Sequence, residues 1–198
     1  MVWTAAQALR WLNDAQRSVA IVRPDASVNT HSIQLTAGTT KQTISGRRLM
    51  SVVRNMGSDG NTPGRAIRLV ERAAKDEFEP NWHQATPSIE IIEYIFDSRT
   101  PKEFYVSPPA HASTDVYIEV CEAVNPAEVD DEANAITLDD IYSPVMVEWI
   151  VYRFFSRDSE ETPNIQRAAS HFQQFFAMLG AKMNPDMAVN PKVRAHLS

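Results

Sequence analysis

The side chains able to do acid–base, nucleophilic or metal chemistry are scattered through this sequence rather than gathered. Histidines stand at His31, His83, His111, His171 and His196, with none of the paired spacings that hold zinc. His171 adjoins an apolar helical stripe and reads as a packed or surface histidine. Cys121, the single cysteine, closes a strand with no histidine pattern beside it, so it is expected as a small apolar residue, not a nucleophile. The run containing Asp130, Asp131, Glu132, Asp139 and Asp140 lacks the alternating ligands and turn glycine of a calcium loop, and reads as a solvated loop. "GSDGNTPG" at 57–64 invites a phosphate-loop reading. It has no Gly-Lys-Ser/Thr ending, and the residues after it look like a strand rather than the start of a helix. Trp82 and His83 in "PNWHQATPS" read as a packing anchor for a nearby short helix. These residues define no catalytic, cofactor-binding or metal site, and the chain is not expected to be an enzyme.

The composition is that of a folded chain, 43% hydrophobic and 22% charged over 198 residues, enough for one domain with an inserted lobe. One cysteine cannot make an internal disulfide, and no apolar run has membrane-spanning length. The start, "MVWTAAQALRWLNDAQRSV", lacks the layout of a signal peptide, so a soluble protein made inside a cell is expected, without a membrane partner. The net charge of −6 is unevenly spread. Arg47, Arg48, Arg54, Arg65, Arg68, Arg72 and Lys75 crowd the stretch from Gly46 to Lys75, against Asp59 and Glu71. Between Lys102 and Arg153 there is no lysine or arginine and there are eleven acidic residues. Two solvated faces of opposite sign explain this; so does a head-to-tail contact in which one face of a subunit meets the other face of its neighbour.

These charges must be carried by elements whose order is legible. Thr4 and Gln7 form a capping-box pair ahead of Ala5, Ala8, Leu9, Leu12, Ala15 and Val19 at helical spacing, and Pro24 closes the segment. "VNTHSIQLTAGTTKQTI" (28–44) reads as a hairpin turning at Ala37–Gly38. Leu49 to Met56 reads as a strand, Ala73 to Phe78 as a short helix, and 89–96, 104–106 and 116–120 as further strands. Pro101, Pro108 and Pro109 suit edges and turns. Thr137 with Asp140 is a weak cap for an apolar helix from 141 to 155 that starts near Leu138 or only at Pro144. Being apolar almost all round, it should be buried on more than one side. Thr162 and Pro163 open the last helix. Its stripe is Ile165, Ala168, Ala169, Phe172, Phe176 and Leu179, and Gly180 is expected to end it.

The fold class is therefore α+β. N- and C-terminal helices form a helical bundle (1–24 and 138–180) with an inserted antiparallel β-sheet lobe (28–124), a single domain over 1–180. Residues 181–198, interrupted by Pro185 and Pro191, are expected as an extended C-terminal tail. Met187, Val189, Lys192, Val193, Arg194 and Leu197 are spaced as an arm lying on another protein would need, although a frayed terminus reads the same way. Trp149, Phe154, Phe172 and Phe176 are expected as core or interface anchors.

Several stretches together carry a resemblance: "WLNDAQRSVAIVRPDA" (11–26), "VVRNMGSDGNTPGRAIRLVER" (52–72), "NWHQATPS" (81–88), "YIFDSRTPKEFYVSPP" (94–109) and "DIYSPVMVEWIVYRFFSRDSEE" (140–161). Over 11–180 the chain resembles the head-to-tail adaptor (connector) proteins of short-tailed bacteriophages, departing at Pro144. The resemblance implies a structural protein of the virion with no cofactor: a homo-oligomeric ring, typically of twelve copies. Such a ring joins the portal protein to a downstream tail (nozzle) protein and lets genomic DNA through its channel without sequence-specific binding. On that reading Arg65, Arg68, Trp149 and Phe154 are subunit-interface residues, and the tail residues above meet the portal or a neighbour. The competing reading is a monomeric enzyme or nucleic-acid-processing factor using the basic segment 46–75.

Overall fold

The computed structural model describes the backbone of residues 4–157 and 162–189, and the side chains of 4–157 and 163–180. The chain divides into a helical unit, Met1–Ser27 with Asn125–Ser198, and a sheet unit, Val28–Val124. The class is α+β, with four α-helices and two sheets among the described residues.

The helical unit opens with α1 (Ala5–Val22). Its capping box is formed as expected: the Gln7 N–H donates to Thr4 Oγ1 at 3.3 Å and the Thr4 N–H to Gln7 Oε1 at 3.2 Å. Among helices of this unit, α3 (Ser143–Arg157) packs on both α1 and α4 (Thr162–Val189). Ala15, Val19, Leu138, Tyr142, Val145, Met146, Phe175 and Leu179 are buried together between them.

Three helical details differ from expectation. The cap before α3 is Asp139, whose carboxylate accepts from the Ile141 N–H and starts a 3-10 turn (Asp140–Tyr142) that leads into Ser143. Thr137 instead accepts from the Ala127 N–H, so it anchors the acidic loop. Pro144 then falls in the first turn of α3, where its missing N–H costs nothing. On α4 the buried face is Ala168, Phe175 and Leu179. Ile165, Phe172 and Phe176 are 52%, 37% and 43% exposed, and Ala169 is exposed, so the stripe is rotated by about one residue. Finally, α4 does not stop at Gly180. That glycine has no left-handed φ, and the helix runs on to Val189 through Pro185, which removes one N–H donor. The tail expected from 181 therefore begins no earlier than residue 190, and 190–198 lie outside the described residues.

The sheet unit is built from β1 (Val28–Gln34), β2 (Lys41–Thr43), β3 (Arg48–Asn55), β4 (Arg68–Leu69), β5 (Glu93–Phe96), β6 (Glu103–Ser107) and β7 (Tyr117–Ala123), with α2 (Arg72–Phe78) after β4. One sheet has the order β1-β7-β3 and the other β2-β6-β5-β4. Two expectations are corrected here. The segment 28–44 is not a hairpin: the turn at Ala37–Gly38 exists, with Gly38 at φ +69°, but β1 pairs with β7 and β2 pairs with β6. Nor is the lobe wholly antiparallel, because β4 runs parallel to β5. The alternation of β7, with Ile118, Val120 and Glu122 turned inward, places it as the central strand of its sheet.

A buried carboxylate and two buried amides close the lobe. Glu122 Oε2 accepts from the Gly46 N–H and Oε1 from the Ser45 hydroxyl, each at 2.9 Å. A Cβ at residue 46 would stand 2.6 Å from the Ala123 carbonyl oxygen, which reserves the position for glycine. Asn55 Nδ2 donates to the carbonyls of Ile91 (2.8 Å) and Arg65 (3.0 Å), and its Oδ1 accepts from the Ile91 N–H at 2.8 Å. Gln42 likewise holds both backbone groups of Thr36 and the carbonyl of Thr39. Trp82 is buried and donates through Nε1 to Asp76 of α2 at 2.8 Å, the expected anchor of the short helix.

The rotated stripe on α4 is directly testable. Phe175→Ala should cost about 3–5 kcal/mol, and Phe176→Ala about 1 kcal/mol, by denaturant unfolding. Equal losses would contradict the packing described here.

Candidate assembly surfaces

The basic segment of the sheet unit is largely neutralised where it stands. Arg54 pairs with Glu119 at 2.9 Å, Arg65 with Glu90 at 3.7 Å, Arg68 with Glu93 at 2.8 Å and Arg72 with Asp76 at 3.4 Å. Arg65 and Arg68 are exposed, at 60% and 67% of their side chains. Lys75 is buried and sits between Glu79 (2.6 Å) and Glu93 (2.8 Å). Burial pulls its pKa down, but the two carboxylates more than offset that and hold it above the ordinary lysine value. The guanidinium of Arg72 lies 5.2 Å from the centre of the Tyr105 ring.

The loop at 57–64 is a surface loop shaped by one carboxylate. Asp59 accepts from the N–H groups of Asn61 and Thr62 and from the Thr62 hydroxyl. Those bonds, led by the one from Asn61, hold its pKa at about 2.

In the helical unit, aromatic rings run along α3 and α4. Trp149 is half-buried, with its ring centre 5.0 Å from Phe175 and 5.4 Å from Tyr152; Phe154 is half-buried against Phe155. Phe172 and Phe176 continue the row outward. His171 pairs with Glu148 at 2.7 Å and stacks on Phe155, a packed histidine on the helix face. Of the apolar α3 face, Val145 and Met146 are buried while Val147 stays 54% exposed, so its second side is open in the single chain, as is that of neighbouring Ile141 at 58%.

The other feature of this unit was not read from the sequence. Arg10 and Arg17 of α1 and Arg153 and Arg157 of α3 line one groove of about 460 Å³, together with Asp14 and Glu128. Asp14 bridges Arg17 and Arg153, at 3.4 Å from each, and Glu128 also pairs with Arg17. Arg10 and Arg157 form no ion pair among the described residues. Their signal was the helical spacing of Arg10 with Arg17 and of Arg153 with Arg157, which puts each pair on one face of its helix.

Beside the groove the acidic loop is pinned to α1. Asn13 Nδ2 donates to the Val129 carbonyl and its Oδ1 accepts from the Val129 N–H, both at 2.9 Å. Gln16 Nε2 reaches the Ala127 carbonyl at 3.4 Å. Beyond that clasp, Asp130, Asp131, Glu132, Asp139 and Asp140 are exposed. Among the described residues no three of His, Cys, Asp and Glu converge as a metal site, and no helix is long and apolar enough to cross a membrane. Of the expected arm residues, Met187 and Val189 fall within α4, and Lys192, Val193, Arg194 and Leu197 lie outside the described residues.

The described surfaces are thus a charged groove, an acidic loop and a half-open aromatic face on an α+β chain. The SU10 adaptor protein family model matches residues 2–195, and the chain belongs to that family, one of phage structural adaptors. No curated protein sequence matches the chain.

Two outcomes follow from the loops. Asn13→Ala leaves both backbone groups of Val129 without their partner, so it should cost about 1–3 kcal/mol and speed hydrogen exchange at the Val129 amide. Unchanged exchange would mean the clasp does not hold the loop. Because the pKa of Asp59 is depressed, the order it gives the 57–64 loop should be full above about pH 4 and lost as pH falls through about 2. Amide exchange at Asn61 and Thr62, followed from pH 5 to pH 2, checks the window.

Proposed function

We propose that this chain is the subunit of a head-to-tail adaptor ring, typically of twelve copies, that joins the portal of a phage particle to the next tail component. Genomic DNA passes through the ring without sequence-specific binding, and the protein is a virion component that acts by assembly, not catalysis. The observation that carries this is the family match over 2–195, nearly the whole chain. The surfaces support it. Trp149 and Phe154 are half-buried, and Val147, Phe172 and Phe176 are exposed, on helices that a neighbouring subunit would cover.

In this proposal the helical unit and the sheet unit serve as one adaptor domain. Arg65 and Arg68 face a neighbour, exchanging weak exposed pairs for intersubunit ones. The arm that meets the portal or an adjacent copy is drawn from the end of the chain, with Met187 and Val189 at its helical base and Lys192, Val193, Arg194 and Leu197 beyond. The competing reading, a monomeric enzyme or nucleic-acid factor using 46–75, has less support. Five of that segment's seven basic residues are already in ion pairs within the unit, so no free cationic strip is offered to phosphates.

The test is electron imaging of the full chain with portal rings, beside a chain truncated after Val189. The full chain should add a ring of density to one end of the portal, and the truncated chain should fold equally but occupy fewer portals. Bare portals with the full chain would sink the adaptor reading; equal occupancy by the truncated chain would remove the arm alone.

A further inference from the structure

Among the described residues, two sets of charge on the helical unit lack an ion-pair partner. Arg10 and Arg157, on the walls of the α1/α3 groove, have no carboxylate partner among the described residues, and the groove holds four arginines against Asp14 and Glu128. The acidic loop presents Asp130, Asp131, Glu132, Asp139 and Asp140, and among the described residues none of them is in an ion pair. The loop starts next to the groove, since Glu128 already pairs with Arg17, yet its remaining carboxylates do not reach the arginines of their own chain.

We infer that the groove receives the acidic loop of a second copy of this chain. This rests on the adaptor reading and names the contact that sets the order of its subunits. Used head to tail, each copy gives its loop to one neighbour and receives the loop of another, which is the geometry that closes into a ring. The guanidinium groups are suited to the occupant, because each binds a carboxylate with two parallel N–H donors. The loop is also held ready. Asn13 clasps Val129, Gln16 holds Ala127 and the Thr137 hydroxyl holds the Ala127 N–H, so less chain entropy is lost on docking. A nucleic-acid backbone fits less well: Asp14 and Glu128 stand in the groove wall and would repel phosphates, and the chain as a whole carries −6.

The experiment uses three full-length chains in sedimentation at low and high salt: the native chain, Arg10→Glu with Arg157→Glu, and Asp131→Lys with Glu132→Lys. All three should melt alike, since every substituted side chain is exposed. The native chain should self-associate at low salt and dissociate as salt screens the contact, and each reversal should weaken association at least about tenfold. An equimolar mixture of the two reversals should associate again, because a reversed loop then meets a reversed groove. The inference is overturned if the native chain associates no better than the reversals, or if the mixture stays apart. It is equally overturned if the groove reversal abolishes binding of duplex DNA and leaves self-association intact. Portal imaging separates this from the broader reading: portal-bound rings that survive both reversals would remove this contact and leave the adaptor function standing.

Discussion

The helical unit depends on a side chain imitating a strand. Asn13, in the middle of α1, offers Val129 one N–H and one carbonyl at 2.9 Å each, as a neighbouring β-residue would. Without that clasp the stretch after β7 would cross the surface of α1 with unpaired backbone groups, a cost the buried Val129 could not escape. The same contact fixes where Glu128 meets Arg17 and where the exposed carboxylates begin. One amide thus sets the position of the loop, of the groove wall and of the charges that face outward.

The sheet unit uses the device twice more. Asn55 links β3 to the backbone at Arg65 and Ile91, and Gln42 folds the turn at Thr36–Thr39 back on itself. Both residues are buried, where a side-chain amide left unsatisfied would be costly and a satisfied one specifies a single arrangement. Glu122 does the same with a carboxylate at Ser45 and Gly46. Small sheets of three and four strands bury few groups of their own, so connections are held by side chains as much as by ladders.

How much of this was legible depends on range. The capping box, a strand at about 116–120, the surface loop at 57–64 and the Trp82 anchor are local patterns and stand where the sequence puts them. Strand partners are not local: nothing within 28–44 reveals that β1 and β2 pair with β7 and β6, or that β4 lies parallel to β5. Phe172, Phe175, Phe176 and Leu179 all satisfy a helical repeat, so spacing alone could not decide between the two adjacent phenylalanines, and burial does. Gly180 is a stop only when its φ is left-handed, a property of the fold rather than the letter. The arginine groove joins α1 to α3, far apart in the chain, and each helix alone shows only a pair of ordinary surface cations.

The distribution of ion pairs separates charges that stabilise a unit from those free to change partners. Glu93 shows the distinction within one side chain: its Oε2 holds the buried Lys75 at 2.8 Å, and its Oε1 meets Arg68, which is 67% exposed. Lys75 depends on its partners, because an uncompensated charge in that position would be expensive. Arg68 depends on little, since an exposed pair contributes at most about 1 kcal/mol. A neighbour that drew Arg68 away would leave Glu93 still neutralised by Lys75, so the sheet unit would keep its internal balance. Arg65 with Glu90, both more than half exposed, is as easily exchanged. In the helical unit the exchangeable charge is Arg153, whose 3.4 Å contact with Asp14 can lapse because Arg17 is there to hold the same carboxylate. Each surface cation named here has a second cation behind it on the same acid or an exposed acid as its partner, so each can change partners without either unit losing the contacts that fold it.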